Sequence, residues 1–143
     1  MAQKRILALD VGERRIGLAV SDPLGMTAQG LPTLERRNRR TDLAALAGLA
    51  RDYEIGLWLV GLPRHLSGQE GTQAAKVRQW ADGLQRHSGV PVVYWDERLT
   101  TVEAGRVLRS ASSSRAQTKR AIDRLSAVLL LQSYLDAQAA PPL

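Results

Sequence analysis

The amino-acid sequence predicts an α/β fold in which helices cover the faces of a mixed β-sheet. The order of the elements supports this fold, and the length of the chain indicates a single domain. Three strand-like segments come first, and helices and strands then follow in the order helix–strand–helix–strand–helix–helix. At 143 residues, with no internal repeat or linker, the chain fits one domain. We expect this domain to span residues 1–138, followed by a short tail at 139–143.

Five segments have the apolar character of strands. Residues 5–11 and 16–22 are joined by a short turn containing Gly12. Residues 27–34 contain Pro32 and therefore suit the edge of a sheet. The run IGLWLVGLP at 55–63 is a buried strand, and GVPVVYW at 89–95 leads directly into DERLTT.

The remaining segments have helical spacing. Residues 41–52 repeat leucines at helical intervals, with Thr41 as the expected N-cap. An amphipathic helix is predicted over 72–87 and a short one over 101–109. A serine-rich loop at 110–118 precedes a largely apolar helix from Lys119 to about Ala137.

Composition narrows the functional classes. The formal net charge is +6, and 17 of the 20 basic residues are arginines, whose guanidinium groups match phosphate geometry. This favours a polyanionic partner, although base composition of the genome could explain the arginine-to-lysine ratio. The absence of cysteine excludes disulfides and thiolate metal sites and fits a cytoplasmic protein. No stretch is apolar enough for a membrane span.

Asp10 ends a strand that is apolar on both faces, since Ile6, Ala8 and Asp10 alternate with Leu7 and Leu9. A carboxylate on a buried strand must be hydrogen-bonded, neutralised or bound to a cation. The alternative is that Asp10 caps the turn at Gly12.

Glu97 follows the last predicted strand, at the sheet edge where ligands collect in open α/β folds. Because neighbouring residues of an extended chain point to opposite sides, only one of Asp96 and Glu97 is expected to face a site there. The alternative is an Asp–Arg turn with Glu97 on the surface.

Asp123 lies in the second turn of the last helix. Ser126, Ala127 and Leu130 follow at the spacing that places them on the same side. Asp123 is therefore expected on a mostly apolar side of the helix. The alternative is an acid that stabilises the helix start electrostatically.

Three acids in such positions suggest one common cause. If Asp10, Glu97 and Asp123 converge, their repulsion requires cations, and oxygen ligands select hard divalent ions such as Mg²⁺ or Mn²⁺. Two such ions about 4 Å apart can activate water and stabilise the leaving oxygen of a phosphodiester. A basic protein with an acidic metal pocket therefore suggests a nuclease.

Four segments resemble the YqgF/RuvX family of RNase H-like nucleases: LALDVGERRIGLAVSD, LWLVGLPRHLSGQEG, DERLTTVEA and IDRLSAVLLLQSYL. They span nearly the whole chain in the family's order. The resemblance implies an RNase H-like five-stranded mixed sheet whose first three strands are antiparallel. It also implies that Asp10, Glu97 and Asp123 are the catalytic, metal-binding acids of an endonuclease that leaves 5′-phosphate and 3′-hydroxyl ends.

The family includes proteins described as pre-16S rRNA nucleases and as Holliday junction resolvases, so two substrates follow from the resemblance. Structured RNA, the precursor of small-subunit rRNA, is the preferred one. Branched DNA is the alternative, and a junction resolvase would need two active sites and therefore a homodimer. Arg124 and Leu125 depart from the small residues expected after the helix acid.

Further residues are candidates for nucleic-acid contacts. Basic side chains around the serine-rich loop and after Glu97 form the expected interface: Arg98, Arg106, Arg109, Arg115, Lys119, Arg120 and Arg124. The resemblance also implies that backbone at four glycines approaches a phosphate closely: Gly12, Gly61, Gly68 and Gly71. The alternatives are a solvated charged face and ordinary loop glycines.

Two other functions remain open at this point. LDVGERRIGLAVSD also resembles the phosphate loop of sugar-kinase and actin-like ATPases, but those proteins clamp the nucleotide between two related domains and this chain holds one. A non-catalytic RNA-binding assembly factor could keep the fold without the activity.

Overall fold

A computed structural model of the protein describes residues 4–63, 71–97 and 116–139. Five strands form one sheet: β1 (Arg5–Val11), β2 (Arg15–Ser21), β3 (Ala28–Glu35), β4 (Ile55–Leu62) and β5 (Val92–Asp96). Three helices are described: α1 (Arg39–Asp52), α2 (Thr72–Ser88) and α3 (Ala116–Ala139).

The strand order across the sheet is β3-β2-β1-β4-β5. β1 pairs antiparallel with β2, and β2 pairs antiparallel with β3. β1 and β4 are parallel, as are β4 and β5. The sheet is therefore mixed, with β1 at its centre and the Pro32-containing β3 at one edge. This confirms the predicted fold class.

α1 and α2 cover one face of the sheet. The alternate residues Leu7 and Leu9 of β1 point to this face and pack with Leu46 of α1 and with Trp80 and Leu84 of α2. Both strand residues are fully buried, so this layer forms the larger part of the hydrophobic core.

α3 alone covers the other face among the described helices. Ala8 and Leu59 of the central strands pack against Ala127, Leu130 and Leu131 of α3. On β1 and β2 the residues of this face are small, namely Ala8, Gly17 and Ala19, so the backbone of these strands can lie close under the helix. The acid at position 10 continues the alternation of Ile6 and Ala8 and therefore belongs to this α3-facing side.

Two helices begin before the predicted residues. Asn38, not Thr41, is the N-cap of α1: its side chain accepts a hydrogen bond from the Thr41 N–H at 2.8 Å. The prediction of Thr41 as the cap was wrong by one turn, since Asn38 provides the better acceptor at the right distance. α3 begins at Ala116, three residues before the predicted Lys119.

Asp22 organises the turn between β2 and β3. Its carboxylate accepts hydrogen bonds from the backbone N–H groups of Thr27 at 2.8 Å, Met26 at 2.7 Å and Leu24 at 3.2 Å. The bond from Thr27 does most to lower the pKa of Asp22 below its usual value, because it stabilises the charged form. This exposed turn therefore holds the carboxylate ionised at neutral pH.

The predicted helix at 101–109 and most of the serine-rich loop at 110–118 lie outside the described residues, as do Gly68 and residues 140–143. The division into a domain at 1–138 and a tail therefore stays a prediction. Within the described residues, no helix has both the length and the apolarity needed to cross a bilayer.

Candidate active site

The three predicted acids are all buried: Asp10 is 1% exposed, Glu97 4% and Asp123 3%. Burial of Glu97 contradicts the alternative of a surface residue, and burial of Asp123 contradicts a simple solvated helix start. Each has a polar or electrostatic interaction within the protein. Because a buried carboxylate is costly, three of them in one small fold require compensation.

Two glycines beside Asp10 explain how the acids come together. Gly17 of β2 is the cross-strand partner of Asp10. On the other side, Leu9 pairs with Val60 of β4, so Gly61 is the next residue along β4. Asp10 therefore lies between two positions that have no side chain on the α3-facing side.

Asp123 lies over the first of these glycines. A Cβ on Gly17 would overlap the backbone carbonyl of Asp123, so α3 packs directly onto the β2 backbone at this point. Close packing of a helix on a strand requires glycine here. The register of α3 on the sheet consequently places Asp123 next to the Asp10–Gly17 pair.

Glu97 lies over the second glycine. A Cβ on Gly61 would come 2.8 Å from the Glu97 carboxylate oxygen Oε1 and 3.1 Å from Leu130 of α3. Glu97 follows β5 directly, two residues after Trp95, which packs on the α3-facing side. Glu97 rather than Asp96 therefore points to the face that carries Asp10.

The structure thus brings Asp10, Glu97 and Asp123 to one face and one end of the sheet, at the carboxyl ends of β1 and β5 and under the start of α3. Asp10 lies on the side of β1 that α3 covers. In that turn the Gly12 N–H donates to the Arg15 carbonyl at 2.9 Å. The catalytic role of the three acids stays a prediction.

Arg15 is a site residue that the sequence reasoning missed. Its Nε donates to Oδ2 of Asp123 at 2.9 Å, and the two side chains are 19% and 5% exposed. Arg15 alternates with Gly17 on β2 and so points to the same face. A basic residue at the inward position of a strand beside a predicted acidic site is the signal that could have identified it.

The donor set fits a hard divalent ion, because all three candidate ligands are carboxylates and none is a nitrogen or sulfur ligand. The hydroxyl of Ser126, one turn after Asp123, is buried and has no hydrogen-bond partner among the described residues, which leaves one further oxygen near the acids. As the described residues stand, no group of three or more His, Cys, Asp and Glu side chains is arranged to hold a metal ion.

The predicted nucleic-acid contacts lie only partly within the described residues. Arg98, Arg106, Arg109 and Arg115 fall outside them. Lys119 is half-buried, and Arg120 pairs through Nε with Glu35 Oε1 at 2.7 Å on the surface. The Arg124 stem packs over Gly30 of β3, and its side chain is exposed. Arg124 therefore lies towards the β3 edge and does not cover Asp10.

The glycine predictions have mixed outcomes. Gly61 accommodates the Glu97 carboxylate, and Gly12 makes the tight β1–β2 turn. Gly71 is the N-cap of α2 and gives it no side-chain hydrogen bond. Gly68 lies outside the described residues. The approach of a phosphate to any of these glycines stays a prediction.

A family model described as "RuvX: Holliday junction resolvase" matches residues 4–137. The chain belongs to the RuvX family. It is 56% identical over 132 residues to a protein of Koribacter versatilis named "Putative pre-16S rRNA nuclease", covering 92% of this chain and 86% of that one. A protein of the same name from Moorella thermoacetica is 54% identical, with 92% and 94% covered.

Solved structures agree on the fold of this RuvX-family chain. RuvC of T. thermophilus in complex with a Holliday junction substrate superimposes with a TM-score of 0.58, at 18% identity, covering 99% of this chain and 100% of RuvC. The yeast mitochondrial resolvase Ydc2 gives 0.56 at 11% identity, with 96% and 80% covered. The predicted family, the RNase H-like fold and the enzyme class, a nuclease, are confirmed.

Proposed function

We propose that this protein is a divalent-metal-dependent endonuclease that cleaves structured RNA and processes the 5′ end of pre-16S rRNA in the cytoplasm. The observation that supports it most is the burial of Asp10, Glu97 and Asp123 on one face and at one end of the sheet. The name shared by relatives about half identical in sequence favours the rRNA precursor as substrate.

In this proposal Asp10, Glu97 and Asp123 would hold Mg²⁺ or Mn²⁺. When bound, such an ion supplies the Lewis acidity that activates water and offsets charge on the leaving oxygen. Water attacks the phosphorus in line and the bond to the 3′ oxygen breaks, which leaves a 5′-phosphate and a 3′-hydroxyl.

The chain's own residues perform the remaining tasks. The apolar layer under α3 keeps bulk water away from the acids, and the basic side chains near the site orient the phosphate backbone. Arg98, Arg106, Arg109, Arg115, Lys119, Arg120 and Arg124 remain the proposed contacts for nucleic acid.

A second candidate is cleavage of branched DNA as a Holliday junction resolvase. The description of the matching family favours it. Because a four-way junction requires two symmetric cuts, this function needs a homodimer with two active sites. Light scattering that gives the mass of one chain, 15.6 kDa, would argue against it.

The deciding experiment compares cleavage of precursor 16S rRNA and of a four-way DNA junction with Mn²⁺, Mg²⁺ or a chelator. We expect cleavage of the RNA only, and only with a divalent ion. Asp10→Asn should lower the rate about a thousandfold, since metal-assisted charge stabilisation contributes several kcal/mol and each 1.4 kcal/mol is a factor of about ten.

The matched control is Asp82→Asn, the same change at an exposed position of α2. It should cleave at the wild-type rate. Equal activity of wild type and Asp10→Asn would reject the metal mechanism. Binding of the RNA without cleavage by the wild type would instead support the non-catalytic assembly factor.

A further inference from the structure

A cavity lies at the same end of the sheet as Asp10, on the opposite face. It has a volume of about 150 Å³ and opens between the β1–β2 turn and the first turns of α2. Val11, the residue after Asp10, forms part of its wall together with Val77 and Trp80 of α2. The cavity is therefore one residue along β1 from the proposed active site, across the sheet.

The interior of this cavity is apolar and aromatic. Val77 is 6% exposed and Trp80 8% exposed, so both are fixed parts of the core. A cavity of about 150 Å³ lined by apolar groups accommodates a ring the size of benzene. A pyrimidine base has this size.

The rim is polar and mostly positive. Arg36 donates through Nη1 to the Gly12 carbonyl at 2.6 Å, and its guanidinium lies 5.8 Å from the centre of the Trp80 ring. These contacts fix Arg36 at the mouth of the cavity. Lys76 is exposed on the same rim. Two cations on the rim of an apolar cleft suit an anionic group attached to a flat ring.

The remaining rim groups complete this chemistry. Glu13, the one carboxylate in the lining, is exposed and can accept hydrogen bonds from the edge of a base, and Gln73 can both donate and accept. α2 begins beside the cavity with Gly71 as N-cap, no side-chain cap and no acid in its first turn. Within the first turn of α2 itself, no acidic side chain offsets the partial positive charge of this helix end.

Trp80 differs from the other two tryptophans in the hydrogen bonding of its indole N–H. Of the three tryptophans, Trp58 donates from Nε1 to Ser88 Oγ at 2.9 Å and Trp95 to Ser133 Oγ at 3.2 Å. Trp80 Nε1 is buried with no hydrogen-bond partner among the described residues. A buried unpaired donor is rare and costs free energy until it is satisfied.

We propose that this cavity binds one unpaired pyrimidine nucleotide of the nucleic-acid strand near the cleavage site, with the base between Val11, Val77 and Trp80 and its phosphate at Arg36 and Lys76. Single-stranded nucleotides are commonly recognised in this way, by a splayed base against an aromatic wall and a cation on the backbone. The strand is the substrate only if the proposed function is correct; nucleotide binding itself does not require cleavage.

The test follows the three indole N–H signals of ¹⁵N-labelled protein in chelator, with the Trp80 signal assigned from Trp80→Phe. A short single-stranded pyrimidine oligonucleotide should shift the Trp80 signal saturably and leave those of Trp58 and Trp95 in place. The same strand annealed to its complement should cause no shift. Uridine monophosphate should bind far more weakly than the oligonucleotide.

Lys76→Met tests the phosphate contact, with Arg86→Met as the matched loss of one exposed charge near the other end of α2. Lys76→Met should reduce the dependence of log affinity on log salt by about 0.7, the value for one phosphate of a single strand. Arg86→Met should leave this slope unchanged.

An unshifted Trp80 signal at saturating oligonucleotide would overturn the proposal, as would equal effects of the two substitutions. Uridine monophosphate binding as tightly as the strand would overturn the assignment to a strand and indicate a free-nucleotide site. These binding measurements are made in chelator and therefore do not depend on cleavage. A protein that binds as expected here, but cleaves neither substrate when divalent ions are present, would refute the proposed nuclease function alone.

Discussion

At the scale of single residues, the ion pair between Arg15 and Asp123 reduces the negative charge of the proposed metal site. The guanidinium already supplies one positive charge to an acid that is 5% exposed. A charge 4 Å away contributes about 4 kcal/mol at an effective dielectric constant near 20. The half-exposed pair of Arg120 and Glu35 lies in high dielectric and contributes little.

Arg15→Met should therefore have two opposite effects. Without divalent ions, it should lower the free energy of unfolding by about 1–2 kcal/mol, because one cation beside a buried acid is lost. The Arg15→Met protein should also bind Mn²⁺ about tenfold more tightly than the wild type, because the Asp123 carboxylate is no longer paired with the Arg15 guanidinium. Calorimetric titration with Mn²⁺ and thermal unfolding with and without the ion measure both effects.

Arg14→Met is the matched control, because Arg14 is the exposed neighbour of Arg15 in the same turn. It should match the wild type in both measurements. Identical Mn²⁺ affinity in Arg15→Met and wild type would show that Arg15 does not compete for Asp123. No binding in any of the three proteins would instead reject the metal site.

At the scale of elements, the contact between α3 and β2 positions Asp123, and Gly17 makes that contact possible. Gly17→Ala would place a Cβ on the Asp123 carbonyl, so the helix must shift away from the strand. We expect a loss of about 2–4 kcal/mol in the free energy of unfolding, typical of severe overpacking, together with loss of cleavage. Urea denaturation measures the stability.

Gly48→Ala is the control for the glycine-to-alanine change itself. Gly48 lies inside α1, and a Cβ there would meet only the Arg51 guanidinium at 3.8 Å. It should stabilise the protein by about 0.5–1 kcal/mol, because alanine loses less backbone entropy in a helix. A Gly17→Ala protein as stable as wild type would show that α3 does not need this close approach.

At the scale of the whole molecule, the net charge of +6 should make the affinity for nucleic acid depend on salt concentration. Binding that neutralises about four phosphates of a single strand should weaken about fiftyfold when salt rises from about 50 to 200 mM. Fluorescence anisotropy with a labelled single-stranded RNA in chelator measures this. Affinity that does not change with salt would contradict a binding surface made of basic side chains.

The sequence predicted the strands of the sheet and the inward positions of Asp10 and Asp123, because these rest on local alternation and helical spacing. The antiparallel start followed from the family resemblance, and the burial of Glu97 was one of two alternatives. The inward position of Arg15 on β2 was a sequence signal for a residue near the acids, but its pairing with Asp123 joins residues 108 positions apart and depends on the register of α3 on the sheet. The unpaired Trp80 and the cavity beside it also arise only from packing. Asn38 was missed because Thr41 is also a good capping residue, and only the backbone conformation decides between them.

The proposed acids come from the first strand, the end of the last strand and the last helix. A growing polypeptide on the ribosome has Asp10 early in translation but no Asp123 until its final segment has emerged and docked onto β2. Incomplete translation products would therefore lack the third proposed acid together with most of the proposed basic contacts, which lie between Arg98 and Arg124. The proposed activity would then appear only after the last helix has packed onto the sheet.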